Sequence, residues 1–191
     1  MTTLTHEEGQ TLARYARGCI AAELTGAARP TSPSGAFAET PGAAFVTLQR
    51  GEHFHGCIGS LVAWRPLVED VARNARAAAF EDPRAGRLDA AGLDALDVEV
   101  SVLSVSEAIP FTDEASAQAA LRPGVDGVVL QWGGHRGTFL PQVWESLPSP
   151  DLFLNQLKRK AGLRTDFWAP DVRLERYTVQ KFIDPALEAG P

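Results

Sequence analysis

The stretch that decides the fold is DVEVSVLS, residues 97–104. Successive side chains of an extended chain point to opposite faces, so Val98, Val100 and Val102 share one side and Asp97, Glu99, Ser101 and Leu103 the other. A β-branched residue at every second place, with polar residues between, predicts a strand. Toward the N-terminus, Ala43 to Leu48 is extended and half apolar, QRGEH supplies a turn in which Gly51 is free to take positive φ, and HFHGCIGSL (53–61) returns. Toward the C-terminus, GVDGVVLQWGGHRGTFLPQV (124–143) reads as a second hairpin turning at WGGHRG, with Pro141 closing the strand. DVRLERYTVQKF (171–182) makes one last strand. Strands joined by hairpins, without a regular βαβ repeat, predict an α+β chain with a mostly antiparallel sheet flanked by helices. No repeat with a period of 20–50 residues is present, which excludes solenoids and propellers.

The helices are marked by their ends. Residues 5–23 open on Thr5 with Glu8 three places on, a capping box, and Leu12, Tyr15, Ala16, Cys19 and Ile20 form one stripe. Cys19 on that stripe reads as a small core residue. After Pro66 a second helix buries Leu67, Val68, Val71, Ala72, Ala75, Ala78 and Ala79, leaves Arg73 and Arg76 off the stripe, and stops at AFEDPR, where Pro83 forbids continuation through Asp82. Residues 113–121 are Ala-rich and form a short helix. A further helix spans 149–161, with Ser149 at the N-cap, Pro150 at N1 and Gly162 in the left-handed place after the last turn. Lys158, Arg159 and Lys160 read as its solvated, dipole-complementing end. Residues 25–42 and 85–96 are expected to be irregular, and the tail from Asp184 to be frayed.

With 191 residues the chain makes one domain, or one domain with two lobes. Its 45% apolar and 22% charged residues suit a globular protein and exclude collagen, coiled coil and disorder. No run is long enough for a membrane span, and the first ten residues show no secretory signal. A net charge of −6 without a Lys/Arg block gives no footprint for nucleic acid or an anionic membrane, so neither is an expected partner. Trp64, Trp132, Trp144 and Trp168 are scattered and read as core or rim packing rather than a stacking platform. Two cysteines make neither a disulfide framework nor a four-thiolate zinc site, and a reduced, cytoplasmic protein is expected.

Chemistry concentrates in His53-Phe54-His55-Gly56-Cys57-Ile58-Gly59. On a regular strand His53, His55 and Cys57 lie in a row on one face, roughly 6.5–7 Å apart. Gly56 and Gly59 permit a bend and leave backbone open to a ligand. Three readings stand side by side: Cys57 as a nucleophile whose thiolate a histidine favours, His53, His55 and Cys57 as metal ligands, or Cys57 packed in the sheet with the histidines in solvent. No phosphate-loop, dinucleotide, zinc-protease or CxxC pattern competes, and no cofactor is expected. Glu99 and Ser101 share the polar face of their strand, as a base or as half-exposed residues. Arg84 follows a stiff turn and suits an anion or a surface ion pair. Gln142 sits at a strand end, where loops often carry function. His135 lies in a Gly-rich turn and is expected to be solvated.

The blocks FVTLQRGEHFHGCIGSL, PLVEDVARNARAAAFEDPR, DVEVSVLS, GVDGVVLQWGGHRGTFLPQVW and FLNQLKRKAGL, in this order, resemble the AMMECR domain family, which includes the proteins called AmmeMemoRadiSam system protein A. The likeness runs from about residue 8 to residue 182. It implies one domain over residues 1–191, with a larger lobe from both chain ends and a smaller one from the centre. It also implies a pathway shared with a Memo-like protein and a radical SAM enzyme as partners. The family signature resembles Arg-Gly-Cys-Ile-Gly, and here His55 takes the arginine's place. A guanidinium is always charged and grips anions in a planar fork, whereas an imidazole titrates near neutrality. An anion held by the family arginine should therefore bind here more weakly or at lower pH. Two hypotheses follow. In one, a small molecule binds or reacts in a cleft between the lobes, with Cys57 as nucleophile or redox thiol, His55 tuning it, Glu99 accepting or orienting a proton, and Arg84, Gly56, Gly59, Ser101 and Gln142 holding substrate. In the other, the domain is a non-catalytic scaffold for those partners, marked by an exposed apolar patch at Trp64 or Trp144.

Overall fold

The computed structural model describes residues 3–51 and 53–187. The chain divides into two compact units, one running to Leu103 and resuming at Gln180, the other spanning Ser104–Val179.

In the first unit, helix α1 (His6–Thr25) opens on the capping box: Glu8 N–H donates to Thr5 Oγ1 at 3.3 Å while Thr5 N–H donates to the Glu8 carboxylate at 2.8 Å. It stops at Gly26, whose φ of 69° is the left-handed conformation that glycine adopts without strain. The segment 25–42 contains one short helix, α2 (Ala36–Glu39). Strands β1 (Ala43–Arg50) and β2 (His53–Gly59) form the first hairpin, with Gly51 at φ 56°. Helix α3 (Leu67–Phe80) follows, then α4 (Ala90–Asp94) within the stretch expected to be irregular, and then β3 (Asp97–Leu103). β1 is central and pairs antiparallel with both β2 and β3, and β8 (Val179–Asp184) completes the order β2-β1-β3-β8.

One face of this sheet is apolar. Val46, Leu48, Val98 and Val100 are fully buried in a core shared with Leu12, Ala16 and Ile20 of α1 and Val71, Ala75 and Ala78 of α3. Arg17 of α1, a charge that the stripe gave no reason to bury, binds Asp184 and donates to the carbonyls of Leu93, Leu96, Asp184 and Pro185. It ties the start of the tail down: Ala186 N–H donates to Asp97 and Leu187 N–H to the Asp94 carbonyl, both at 2.8 Å. The expected fraying therefore does not begin at Asp184, and residues 188–191 lie outside the described ones.

The second unit holds β4 (Glu107–Ala108), α5 (Glu114–Ala120), the hairpin β5 (Gly127–Trp132) and β6 (His135–Phe139), a 3₁₀ turn over Pro141–Glu145, α6 (Pro150–Lys160) and β7 (Arg173–Tyr177). Its antiparallel sheet has the order β4-β7-β5-β6. The single last strand expected over 171–182 is thus two, β7 in one sheet and β8 in the other. The alternation in the sequence continues through Thr178 and gives no mark of the change. The chain is α+β, and its strands are divided between two sheets. Lys158 corrects the reading of a solvated basic helix end: it is buried, and its ammonium pairs with Glu114 and donates to the Thr165 carbonyl at 2.7 Å. His135 is likewise held, with Nδ1 2.9 Å from the Ala161 carbonyl and its ring stacked on Trp132. Among the described residues no helix is long and apolar enough to cross a membrane.

Candidate functional site

The second face of the first sheet carries the site. Pairing sets Cys57 opposite Thr47, and Thr47 opposite Glu99, so the three lie side by side across β2, β1 and β3. Thr47 Oγ1 donates to the Cys57 sulfur at 3.2 Å. Ser101 Oγ donates to Glu99 Oε1 at 2.8 Å, and Lys181 Nζ lies 3.5 Å from the same oxygen. Glu99 and Ser101 are 9% and 2% exposed. Glu99 is thus buried and hydrogen-bonded rather than half-exposed.

The histidines are elsewhere. Between Leu48 and Gln49 the register slips by one residue: Leu48 faces Gly56 and Gln49 faces Phe54, which leaves His55 as an unpaired bulge. The slip breaks the period of two, so Phe54 rather than His55 shares the Cys57 face. His55 Nε2 instead lies 3.4 Å from the Ala79 carbonyl at the end of α3, and His53 is exposed. The row His53–His55–Cys57 expected on a regular strand is therefore not formed, and His55 is not placed to tune the thiol. Among the described residues no three His, Cys, Asp or Glu side chains gather as metal ligands.

The glycines also have another purpose. A Cβ on Gly56 would stand 2.1 Å from the Ala78 carbonyl oxygen, and one on Gly59 would stand 2.2 Å from the Phe45 ring. Gly56 lets β2 approach the α3 backbone, and Gly59 makes room for an aromatic ring across the hairpin. At both positions the space a side chain would take is filled, by the Ala78 carbonyl and by the Phe45 ring.

A residue not singled out in the sequence holds the centre of the site. Asp82, buried just beyond α3, accepts the Cys57 backbone N–H at 2.9 Å and pairs with Arg84 through Nε at 3.0 Å and Nη2 at 2.7 Å. Its own turn fixes the partner: Asp82 Oδ1 also accepts the Arg84 backbone N–H at 2.9 Å. The Arg84 guanidinium and the Cys57 N–H together hold the Asp82 carboxyl far below the usual carboxylate range. The signal in the sequence was the Asp-Pro-Arg turn itself, where a short acidic side chain can bond to backbone two residues on. Arg84 remains 63% exposed at its side chain, lies 4.5 Å over the Phe54 ring, and reaches the Cys57 carbonyl at 3.4 Å. Burial pushes the Cys57 thiol up from its ordinary value, with Asp82 and Glu99 adding to the rise; Thr47 and Arg84 oppose it without cancelling it. The rise favours the neutral thiol, the less nucleophilic form. Gln142 belongs to the second unit, where its Oε1 is buried without a hydrogen-bond partner among the described residues.

Residues 13–182 match the AMMECR1 family model. The chain belongs to the AMMECR1 family. Among its AMMECR1 relatives is a protein of Methanothermobacter thermautotrophicus, 35% identical over 188 residues, covering 94% of this chain and 95% of the relative. A protein of Methanocaldococcus jannaschii is 34% identical over 191 residues, covering 95% and 92%. The crystal structure of an uncharacterized protein of Pyrococcus horikoshii superposes with a TM-score of 0.83 at 30% identity, covering 98% of this chain and 96% of that one. This likeness of fold extends over nearly the whole length.

Proposed function

We propose that this AMMECR1 protein binds a small anionic molecule at the β2 edge of its first sheet, beside Cys57, and holds it without covalent attack. The observation that carries the reading is the setting of Arg84. A guanidinium anchored by a buried carboxylate keeps its position while its outer face stays in solvent, over an exposed aromatic ring and next to a thiol. Its Nε and Nη2 are engaged by Asp82, which leaves Nη1 to meet a carboxylate or phosphate through a charge-assisted hydrogen bond. Cys57 would contribute a polarisable neutral contact, with Thr47 fixing its rotamer. Both cysteines are free thiols, in keeping with a reducing cytoplasm.

The test uses Cys57 as reporter. Labelling by iodoacetamide at mildly alkaline pH is measured by mass spectrometry, with and without the low-molecular-weight fraction of a host-cell extract. Slower labelling of Cys57 but not Cys19, lost in Arg84→Ala, supports the proposal. Labelling unchanged by the extract overturns it.

A scaffold reading has one observation in its favour. Trp64 is 65% exposed beside exposed Val62, in the connection between β2 and α3. Trp144, the other candidate for such a patch, is buried and donates its ring N–H to the Asp126 carbonyl, so it takes no part. A Memo-like protein or a radical SAM enzyme docking at Trp64 would co-elute with the wild-type chain and with Cys57→Ala, and would be lost with Trp64→Ser.

A further inference from the structure

A cavity of about 600 Å³ lies on the outer side of the first unit, between α1, the segment after it and the first half of α3. Three arginines and one carboxylate line it: Arg29, Arg73, Arg76 and Glu69. Arg76 is already neutralised, since its Nε donates to both oxygens of Glu23 at 2.8–2.9 Å and it also pairs with Glu81. Arg29 and Arg73 form no ion pair among the described residues. They come from different elements, one from the loop and one from α3.

The loop is seated rather than draped. The Pro30 ring packs so closely on α1 that a Cβ on Gly18 would stand 3.0 Å from it, and Tyr15 Oη is 3.0 Å from Ser32 Oγ. Both contacts fall just after Arg29, at residues 30 and 32, and fix the chain on one side of it. The hydroxyls of Tyr15 and Ser32 add hydrogen-bonding groups, and Pro30, Val68 and Ala72 give an apolar wall. A volume in the usual range for small-molecule sites, with an apolar wall and convergent charged groups, describes a binding pocket.

We infer that this cavity is a second ligand site, distinct from the Cys57 edge, which takes an organic phosphate monoester. Two unpaired guanidinium groups, offset in part by Glu69, leave a net positive charge that attracts a phosphate and bond it through their forks, while the apolar wall takes the ester group. The association is non-covalent and needs no other reactant.

Titration with phenyl phosphate, followed by amide chemical shifts, tests the site. Saturable shifts confined to the 15–18, 29–32 and 68–76 segments are expected. Arg29→Ala and Arg73→Ala are surface changes that leave the fold intact, and each should weaken binding about tenfold, as loss of a charge-assisted pair does. Phenol and inorganic phosphate should each bind at least about tenfold more weakly than the ester. Cys57→Ala should bind like the wild type, which keeps this result separate from the fate of the Cys57 proposal. The inference is overturned by an absence of saturable shifts up to about 10 mM ester. Equal binding of phenol would remove the anion, equal binding of inorganic phosphate would remove the apolar wall, and undiminished binding in both arginine variants would remove the site.

Discussion

The two faces of the first sheet differ in burial, one sealed and one partly open, and are made of opposite chemistry. Toward α1 and α3 stand Val46, Leu48, Val98 and Val100, with no exposed surface. On the reverse, two of the same strands place Thr47, Glu99 and Ser101, joined by Cys57 from β2 and Lys181 from β8. Aliphatic side chains on that reverse face would stabilise it more simply, since burying a hydroxyl or a carboxylate costs free energy that its hydrogen bonds only offset. The difference teaches where to look for function: on the partly open face that forgoes apolar packing. The same contrast appears along β2. Gly56 serves the apolar side by meeting α3, and one residue later Cys57 serves the polar side.

The largest effect should come from breaking the apolar side. Gly56→Ala drives a methyl group into the Ala78 carbonyl, and neither backbone can yield without moving a strand off a helix. Overpacking against backbone should cost about 3 kcal/mol or more, read as a fall in the urea midpoint at unchanged slope. A cost below about 1 kcal/mol would show that β2 and α3 slide freely, and the contrast between the faces would lose its rigid side.

Asp82 comes next, because it joins the two sides by holding the Cys57 backbone from the end of α3. Asp82→Ala leaves the Cys57 N–H without its acceptor and should cost about 2 kcal/mol. The depressed carboxyl also fixes a pH dependence. Its stabilisation is complete above the ordinary carboxylate pKa of about 4 and is lost as pH falls through the still lower native value. The stability gap between the wild type and Asp82→Asn should therefore be constant near neutrality and should shrink below about pH 4. A gap that grows with acid would mean that Asp82 is not the anion the geometry requires.

These effects also mark what could be read in advance. The period of two in DVEVSVLS, the Thr5–Glu8 box and the left-handed Gly162 are local, set by residues within a few places of one another, and each stands where the sequence put it. The site was partly legible for the same reason: Cys57, Glu99 and Ser101 share a face because alternation puts them there. His55 was misplaced because a bulge depends on how the hairpin packs, and a hairpin's own residues do not record where a helix carbonyl will press. Asp82 was missed because its partner in the sheet is 25 residues away. The passage from β7 to β8 at Thr178 was invisible because both sheets demand the same alternation. Arg17 carried no sign of burial, since the carbonyls that satisfy it come from residues 93, 96, 184 and 185.

A gentler change on the polar face separates its members. Ser101→Ala removes one donor to Glu99 while Lys181 remains, so the cost should be about 1 kcal/mol. The Gly56 and Ser101 substitutions should add when combined, since no contact is shared between them. Strong coupling would mean that the two faces act as one, and the division drawn here would have to be redrawn.

The smallest change is the sharpest probe of the thiol. Thr47→Val keeps the shape and removes the hydroxyl that donates to Cys57 Sγ. Stability should move by less than about 1 kcal/mol, because a thiol is a weak acceptor and valine suits a strand. Reactivity should move more. The Thr47 hydrogen bond lowers a thiol pKa that burial raises, so its loss lifts that pKa further and leaves less thiolate at any given pH. Iodoacetamide should then label Cys57 several-fold more slowly than in the wild type, and the midpoint of rate against pH should move upward. Faster labelling in Thr47→Val would mean that the hydroxyl had been shielding the sulfur rather than favouring its anion. The polar row would then guard Cys57 instead of presenting it to a ligand.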